Sequence, residues 1–236
     1  MNKLRIFTGL ILTIIISSSV NAQDLENIID KHLDAINADK RSELSTLTLK
    51  GSLTQQGMQM ELEMYEKAPD KMKVISRFSE MEIVQVVNGD KGYMINPMMG
   101  SSDPIPLNEN QISSTRNNSM LKTGILNDYR AGKLELMGEE MLEGSPAYKI
   151  RASDENGERF IFIDKDSYYI TGMQMTMVQM NNEITLEMRM SDFNTTDGIT
   201  IPRTIKTFTN GQLAGTVTYD NIEFNKAVDD SIFEIK

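Results

Sequence analysis

The run MQMELEMY, residues 58–65, alternates apolar and polar side chains without a break, and that period of two decides the fold. Met58, Met60, Leu62 and Met64 fall on one face of an extended chain, with Gln59, Glu61, Glu63 and Tyr65 on the other. Such alternation is the pattern of a half-buried antiparallel strand. ITLEMRM, residues 184–190, repeats it, setting Ile184, Leu186, Met188 and Met190 against Thr185, Glu187 and Arg189. GMQMTMVQM, residues 172–180, adds Met173, Met175 and Met177 on one face. Val178 follows and Met180 resumes on the opposite face, which predicts a bulge or a patch buried on both sides.

Working outward, turn signals recur at hairpin intervals. Asn88-Gly89, Asn156-Gly157, Asp197-Gly198 and Asn210-Gly211 supply the residues that adopt positive φ in tight turns. Between them lie eleven or twelve expected strands, at the spacing of a sandwich or barrel. Two segments depart from this rhythm. DLENIIDKHLDAINADK (24–40) carries Leu25, Ile28, Ile29, Leu33 and Ile36 at helical spacing and reads as one short helix. Residues 107–132 lack alternation but place Ile112, Leu121, Ile125 and Tyr129 at loosely helical spacing, so one or two helices are expected between two halves of the sheet.

The first 22 residues read as a leader. Lys3 and Arg5 precede an uncharged apolar run, and Val20-Asn21-Ala22 fits a small-residue cleavage site, so the mature chain is expected to start at Gln23. The run is shorter than the roughly 20 apolar residues of a spanning helix. The chain has no Cys, which excludes disulfides and a lipidated cysteine at the N-terminus. Setting Lys3 and Arg5 aside, the 24 Lys+Arg become 22 against 34 Asp+Glu, a net charge of −12. That balance disfavours nucleic acid and anionic surfaces as partners. Residues 23–236 are expected to form a single domain.

Several segments, in order, resemble the periplasmic lipoprotein carrier LolA and its outer-membrane lipoprotein-sorting relatives. These are IIDKHLDAIN (28–37) with LTLKG (47–51), VVNGDKGYMINPMMG (86–100), GSPAYKIRASDENGERFIFIDKDSYYITGMQM (144–175), and DGITIPRTIKTF (197–208) with YDNIEFNKAVDDSIFEIK (219–236). The resemblance covers nearly the whole mature chain. It implies an incomplete, strongly curved antiparallel β-barrel, about eleven strands here, with helices as a lid carrying Ile112, Leu121 and Ile125. It also implies a periplasmic location, a cavity for the acyl chains of lipoproteins or lipids, and exchange with an inner-membrane exporter and an outer-membrane acceptor. The family's lid-latching Arg stands just before a Pro. Here Ala68 holds that place, beside Lys67, so the Arg latch has no counterpart there.

The residues offer little for catalysis. His32 is the only His and falls on the apolar face of the expected helix, and a zinc site of His and Cys type is excluded. There is no G-x-S-x-G elbow, Walker loop or G-x-G-x-x-G. Glu61/Glu63 reads as a solvated strand face and Asp164/Asp166 as a turn. No catalytic residue, metal or cofactor is expected. The methionines leave three readings. Soft thioethers suit copper(I); a plain structural domain uses Met in place of Leu; and a cavity for variable chains benefits from walls that re-pack. Packed cores use Met sparingly. The density of Met on these strands therefore favours the third reading, with Met58, Met60, Leu62, Met64, Met173, Met175, Met177, Ile184, Leu186, Met188 and Met190 lining the cavity.

Overall fold

The computed structural model describes residues 16–117, 119–154, 157–179 and 182–234. Two helices, α1 (Ile16–Ala35) and α2 (Ala38–Ser42), precede six strands: β1 (Thr46–Gln55), β2 (Met58–Lys67), β3 (Lys71–Phe78), β4 (Met81–Asn88), β5 (Lys91–Asn96) and β6 (Ser101–Pro106). Then come α3 (Glu109–Asn117) and α4 (Gly124–Arg130). Seven more strands follow: β7 (Leu134–Leu142), β8 (Ser145–Asp154), β9 (Gly157–Asp164), β10 (Ile170–Gln179), β11 (Asn182–Thr196), β12 (Ile199–Thr209) and β13 (Gln212–Phe224). Of the leader expected over residues 1–22, residues 1–15 lie outside the described residues and 16–22 begin α1.

All thirteen strands form one antiparallel sheet in the order β6-β5-β4-β3-β2-β1-β13-β12-β11-β10-β9-β8-β7. The sheet is curled but not closed. Each half is a meander, and the pairing of β1 with β13 at the centre joins them. At that seam a Cβ on Gly51 would lie 1.9 Å from the Thr218 carbonyl oxygen, so the close approach of the two backbones requires glycine. The strand count exceeds the eleven or twelve expected. One strand without a strong sequence signal is β6, whose Pro104 is compatible with pairing because β6 is an edge.

Two of the expected turns follow their chemistry, whereas at Asn88-Gly89 the turn is Gly89-Asp90, because Asn88 still pairs with Lys91 and it is Gly89 that takes a positive φ of 63°. Asp197-Gly198 and Asn210-Gly211 hold φ of 51° and 74°, and 50° and 77°, as two-residue hairpins of type I′ require. Asn156 lies outside the described residues. The bulge expected after Met177 is absent, because β10 pairs with β11 without interruption from Gly172 to Gln179. The β10 irregularity falls instead between Ile170 and Gly172, against β9. Met177 and Val178 are 41% and 73% exposed, so that stretch is not buried on both sides; Met180 lies outside the described residues.

The single helix expected over residues 24–40 is two. Asn37 takes a left-handed conformation (φ 53°, ψ 58°), open to Asn because its short polar side chain finds local partners. Its Nδ2 donates to the Gly198 carbonyl at 2.9 Å, which pins the break to the β11–β12 turn. The apolar stripe of α1 (Leu25, Ile28, Ile29) packs on Ile150, Ala152, Ile161 and Ile163 of β8 and β9, with Ile125 of α4. A second cluster joins Leu47, Leu49, Leu62, Ile199, Ile201, Tyr219 and Phe224, with Leu121 from the segment after α3. Both lie on the face the helices cover, the inner face. On the outer face, Val228, Ile232 and Phe233 of the C-terminal strap cover Tyr65, Ile75, Val84, Val86 and Tyr93.

Candidate functional site

Strand parity puts Met58, Met60, Met64, Met173, Met175, Met177, Met188 and Met190 on the inner face, while Met180 lies outside the described residues. Met173 lies opposite Met188, Met175 opposite Leu186 and Met177 opposite Ile184, so the β10 and β11 faces become one apolar patch. Met58, Met60, Leu62 and Met64 of β2 are four strands away, roughly 19 Å at standard strand spacing. A row of directly opposed residues bridges that distance, running Met60, Leu53, Val217, Ile205, Met190. From Met173 another row continues through Ile161 and Ile150 to Leu136. Apolar rows thus run along the inner face from β7 to β2, with Arg159, Thr207, Thr209 and Glu66 as polar positions between them.

It is not packed shut. Met60 and Leu62 are buried, but Met58, Met64, Met173, Met175, Ile184, Leu186, Met188 and Met190 are half-buried and Met177 is exposed. The helices pack at the margins of this patch, α1 against β7, α2 against β12 and α3 against β3 and β4. Ile112 and Ile125 seal against the sheet at 5% and 6% exposure, and Leu121 is half-buried.

Polar side chains projecting from the inner face tie down the helical segment. Gln85 of β4 donates to Thr115 Oγ1 of α3 at 2.7 Å. Arg159 of β9 pairs with Asp128 of α4. Between them sits Glu66, at 1% exposure, the next inward position of β2 after Met64. Its carboxylate accepts from Ser119 Oγ at 2.6 Å, the Met120 amide at 2.9 Å and the Leu121 amide at 3.2 Å. Burial pushes Glu66 above the usual carboxylate range, opposed by these three donors and by Lys122. Arg41 of α2 holds the same loop from the other side, donating to the Met120 carbonyl at 3.1 Å and the Thr200 carbonyl at 2.7 Å. Its burial lowers the guanidinium to about 10, countered by the field of Glu66. Burial, with the charge of Glu66, also raises Tyr219 to about 12. The polar ties of this loop, called the latch below, are thus built on Glu66 and Arg41 rather than at Ala68.

A hollow of about 310 Å³ opens beside this latch, floored by Leu44, Met72, Leu121 and Leu126 and rimmed by Lys67, Lys71, Arg116, Lys122 and Arg130. Another, of about 400 Å³, lies on the outer face under the C-terminal strap, where Lys50, Lys73, Arg77 and Lys226 alternate with Glu63, Glu223 and Asp229. It faces away from the methionines.

The remaining candidates have structural surroundings. His32 is 3% exposed and its Nδ1–H donates to the Tyr168 carbonyl at 2.7 Å, with burial lowering its pKa. Glu63 is held by Tyr65 and by Arg77 on the outer face. Asp164 accepts from Ser167 N and Oγ, both at 2.8 Å, as a turn residue. Among the described residues, no group of three or more His, Cys, Asp or Glu side chains is arranged to hold a metal, and no helix is long and apolar enough to cross a membrane.

No protein-family model matches the sequence, and neither does the sequence of any curated protein. Solved structures do match in shape. A DUF1329 family protein from Desulfovibrio piger superposes with a TM-score of 0.58 at 13% identity, covering 88% of this chain and 97% of its own. A LolA superfamily protein from Nitrosomonas europaea gives 0.56 at 12% identity, covering 89% and 97%. A domain named for outer membrane lipoprotein sorting, from Vibrio parahaemolyticus, gives 0.54 at 11% identity, covering 90% and 97%. With its curled, unclosed antiparallel sheet and its helices on the inner face, this chain has a LolA-like fold.

Proposed function

We propose that this chain is a periplasmic, single-domain carrier that holds the acyl chains of lipids or lipoproteins against the inner face of its sheet and moves them toward the outer membrane. The observation that carries this reading is the half-open apolar patch on the inner face, rich in methionine, beside a helical segment held by polar ties as well as by Ile112 and Ile125. A patch meant only for packing would be covered by apolar partners. Polar ties can exchange for water, so the loop between α3 and α4 can detach from Glu66 and Arg41 with few apolar contacts to break, those of Met120 and Leu121 among them. Affinity would come from burial, at about 0.8 kcal/mol per methylene, and methionine adapts to chains of different length and branching. The fold is shared with a domain named for outer membrane lipoprotein sorting and with a LolA superfamily protein, which agrees with this reading. Loading from an inner-membrane exporter and delivery to an outer-membrane acceptor complete the proposal. It requires no catalytic residue, metal or cofactor.

The test is displacement of a fluorescent fatty acid. Met175→Asp with Met188→Asp puts two charges on the half-open patch and should abolish probe binding. Gln59→Asp with Thr176→Asp puts the same charges on exposed outer positions and should leave it nearly intact. Equal effects from the two pairs would overturn the reading.

A further inference from the structure

The hollow beside the Glu66 latch differs from the rest of the molecule in charge. The chain carries a net −10, yet the rim brings together Lys67, Lys71, Arg116, Lys122 and Arg130, with Asp70 and Glu66 as the carboxylates. Glu66 is occupied by its three donors. Lys67 and Lys71 share Asp230, at 3.0 and 2.9 Å. Among the described residues the Arg116 and Arg130 side chains form no ion pair, and Lys122 has only the field of the buried Glu66. Three cations from three parts of the helical segment thus converge on one hollow without a counter-charge of their own. Its floor is apolar, and Leu44 and Leu121 belong to the inner-face cluster that also holds Leu62 and Met64. Cationic rim and apolar floor are the two halves of an amphiphile site.

We infer that this hollow binds an anionic head group, of the phosphate-monoester or carboxylate class, whose acyl chain continues onto the inner face. The inference rests on the acyl-carrier reading for the chain but not for the head group. The volume supports the division of labour. About 310 Å³ is at the small end of ligand pockets, enough for a head group and the start of a chain rather than a whole lipid. Guanidinium groups match phosphate and carboxylate oxygens in pairs. In a chain of the opposite net charge, such a local positive field selects and orients an anionic ligand.

The experiment measures three ligands by calorimetry on the parent and on an Arg116→Gln, Lys122→Gln, Arg130→Gln variant, with thermal melting to establish that the variant folds. Lysophosphatidic acid carries both chain and phosphate, the monoacylglycerol of the same chain lacks the phosphate, and glycerol 3-phosphate lacks the chain. Two charge-assisted contacts correspond to about a hundredfold preference or more for lysophosphatidic acid over the monoacylglycerol in the parent. That ratio should collapse toward one in the variant, and added salt should reduce it in the parent alone. A ratio near one in the parent, or a ratio unchanged in the variant, overturns the inference while leaving the carrier reading intact. If glycerol 3-phosphate binds the parent and not the variant while the monoacylglycerol binds neither, the anion site stands as one for free phosphate esters and the acyl reading fails.

Discussion

Replacing Glu66 by alanine removes one carboxylate that holds three donors of the loop between α3 and α4. Hydrogen bonds to a charged group contribute about 1.5–3 kcal/mol each, so three amount to roughly 5–9 kcal/mol gross. Against this stands the cost of keeping a carboxylate at 1% exposure, several kcal/mol after relaxation, which the variant recovers. The net preference for the closed loop is then about 2–4 kcal/mol, in line with the cost of breaking a buried charged contact. Arg41, whose guanidinium feels the charge of Glu66, would lose that compensation as well. At one decade per about 1.4 kcal/mol, amide hydrogen exchange across residues 119–130 should accelerate by roughly 30- to 1,000-fold. The slowest amides of β8 and β9 report the global opening and should change far less, because the loop detaches before the sheet opens. Glu66→Gln keeps one carbonyl acceptor and should fall between the parent and alanine. Glu63→Ala, which breaks a partly exposed pair on the outer face, should cost less than about 1 kcal/mol and leave the loop protected. Loop amides that exchange at the parental rate in Glu66→Ala would refute the latch. So would equal acceleration of loop and sheet, which would make Glu66 an ordinary core residue.

Glu66 also sets a pH dependence of defined sign. Its carboxyl is raised in the closed state, so the closed state binds the proton more tightly, and closure should strengthen as pH falls through the raised value toward 4.5. Loop exchange rates corrected for intrinsic chemistry, in parent and Glu66→Gln, check this; weaker closure on acidification in the parent alone would contradict it. His32 acts in the opposite direction, since burial lowers its pKa and the unfolded chain takes up the proton more readily. Stability should therefore drop as pH falls below 6.5, and urea unfolding of His32→Gln should lack that part of the slope. Met→Leu at 173, 175 and 177 keeps volume and hydrophobicity, and such changes cost less than about 1.5 kcal/mol each. The triple variant should fold and still bind a fatty-acid probe; stoichiometric copper(I) uptake by the parent, lost in the variant and without probe binding, would favour the metal reading.

The sheet was legible because alternation is a property of the chain alone. The parity that grouped Met58 with Met64, and Ile184 with Met190, is the parity of the folded strands. The same parity reaches Glu66, the next inward position after Met64, and a carboxylate on an otherwise apolar face was the available signal for the latch. Arg41 offered no such signal. Its role depends on the helix break at Asn37 and on partners 79 and 159 residues away, at Met120 and Thr200. Nor was the basic hollow visible, because its cations come from the facing ends of β2 and β3, α3, the following loop and α4, and no run of like charge marks any one of them. The strand β6 was obscured by its prolines. The loss of alternation over residues 107–132 marked the helical segment, and Ala68 in place of the family's Arg removed that latch without naming a replacement.

The central claim is that acyl chains lie on the inner face, and photo-crosslinking with a fatty acid carrying a diazirine along its chain tests it most directly. Peptide mapping of the adducts by mass spectrometry reads the contact surface residue by residue. The account predicts labelling of the half-buried inner positions, Met58, Met175 and Met188 among them, suppressed by excess unlabelled fatty acid and by the Met175→Asp, Met188→Asp pair. Labelling that follows the outer face, at Gln59, Thr176 and the hollow under the C-terminal strap, or that excess fatty acid leaves unchanged, would contradict it.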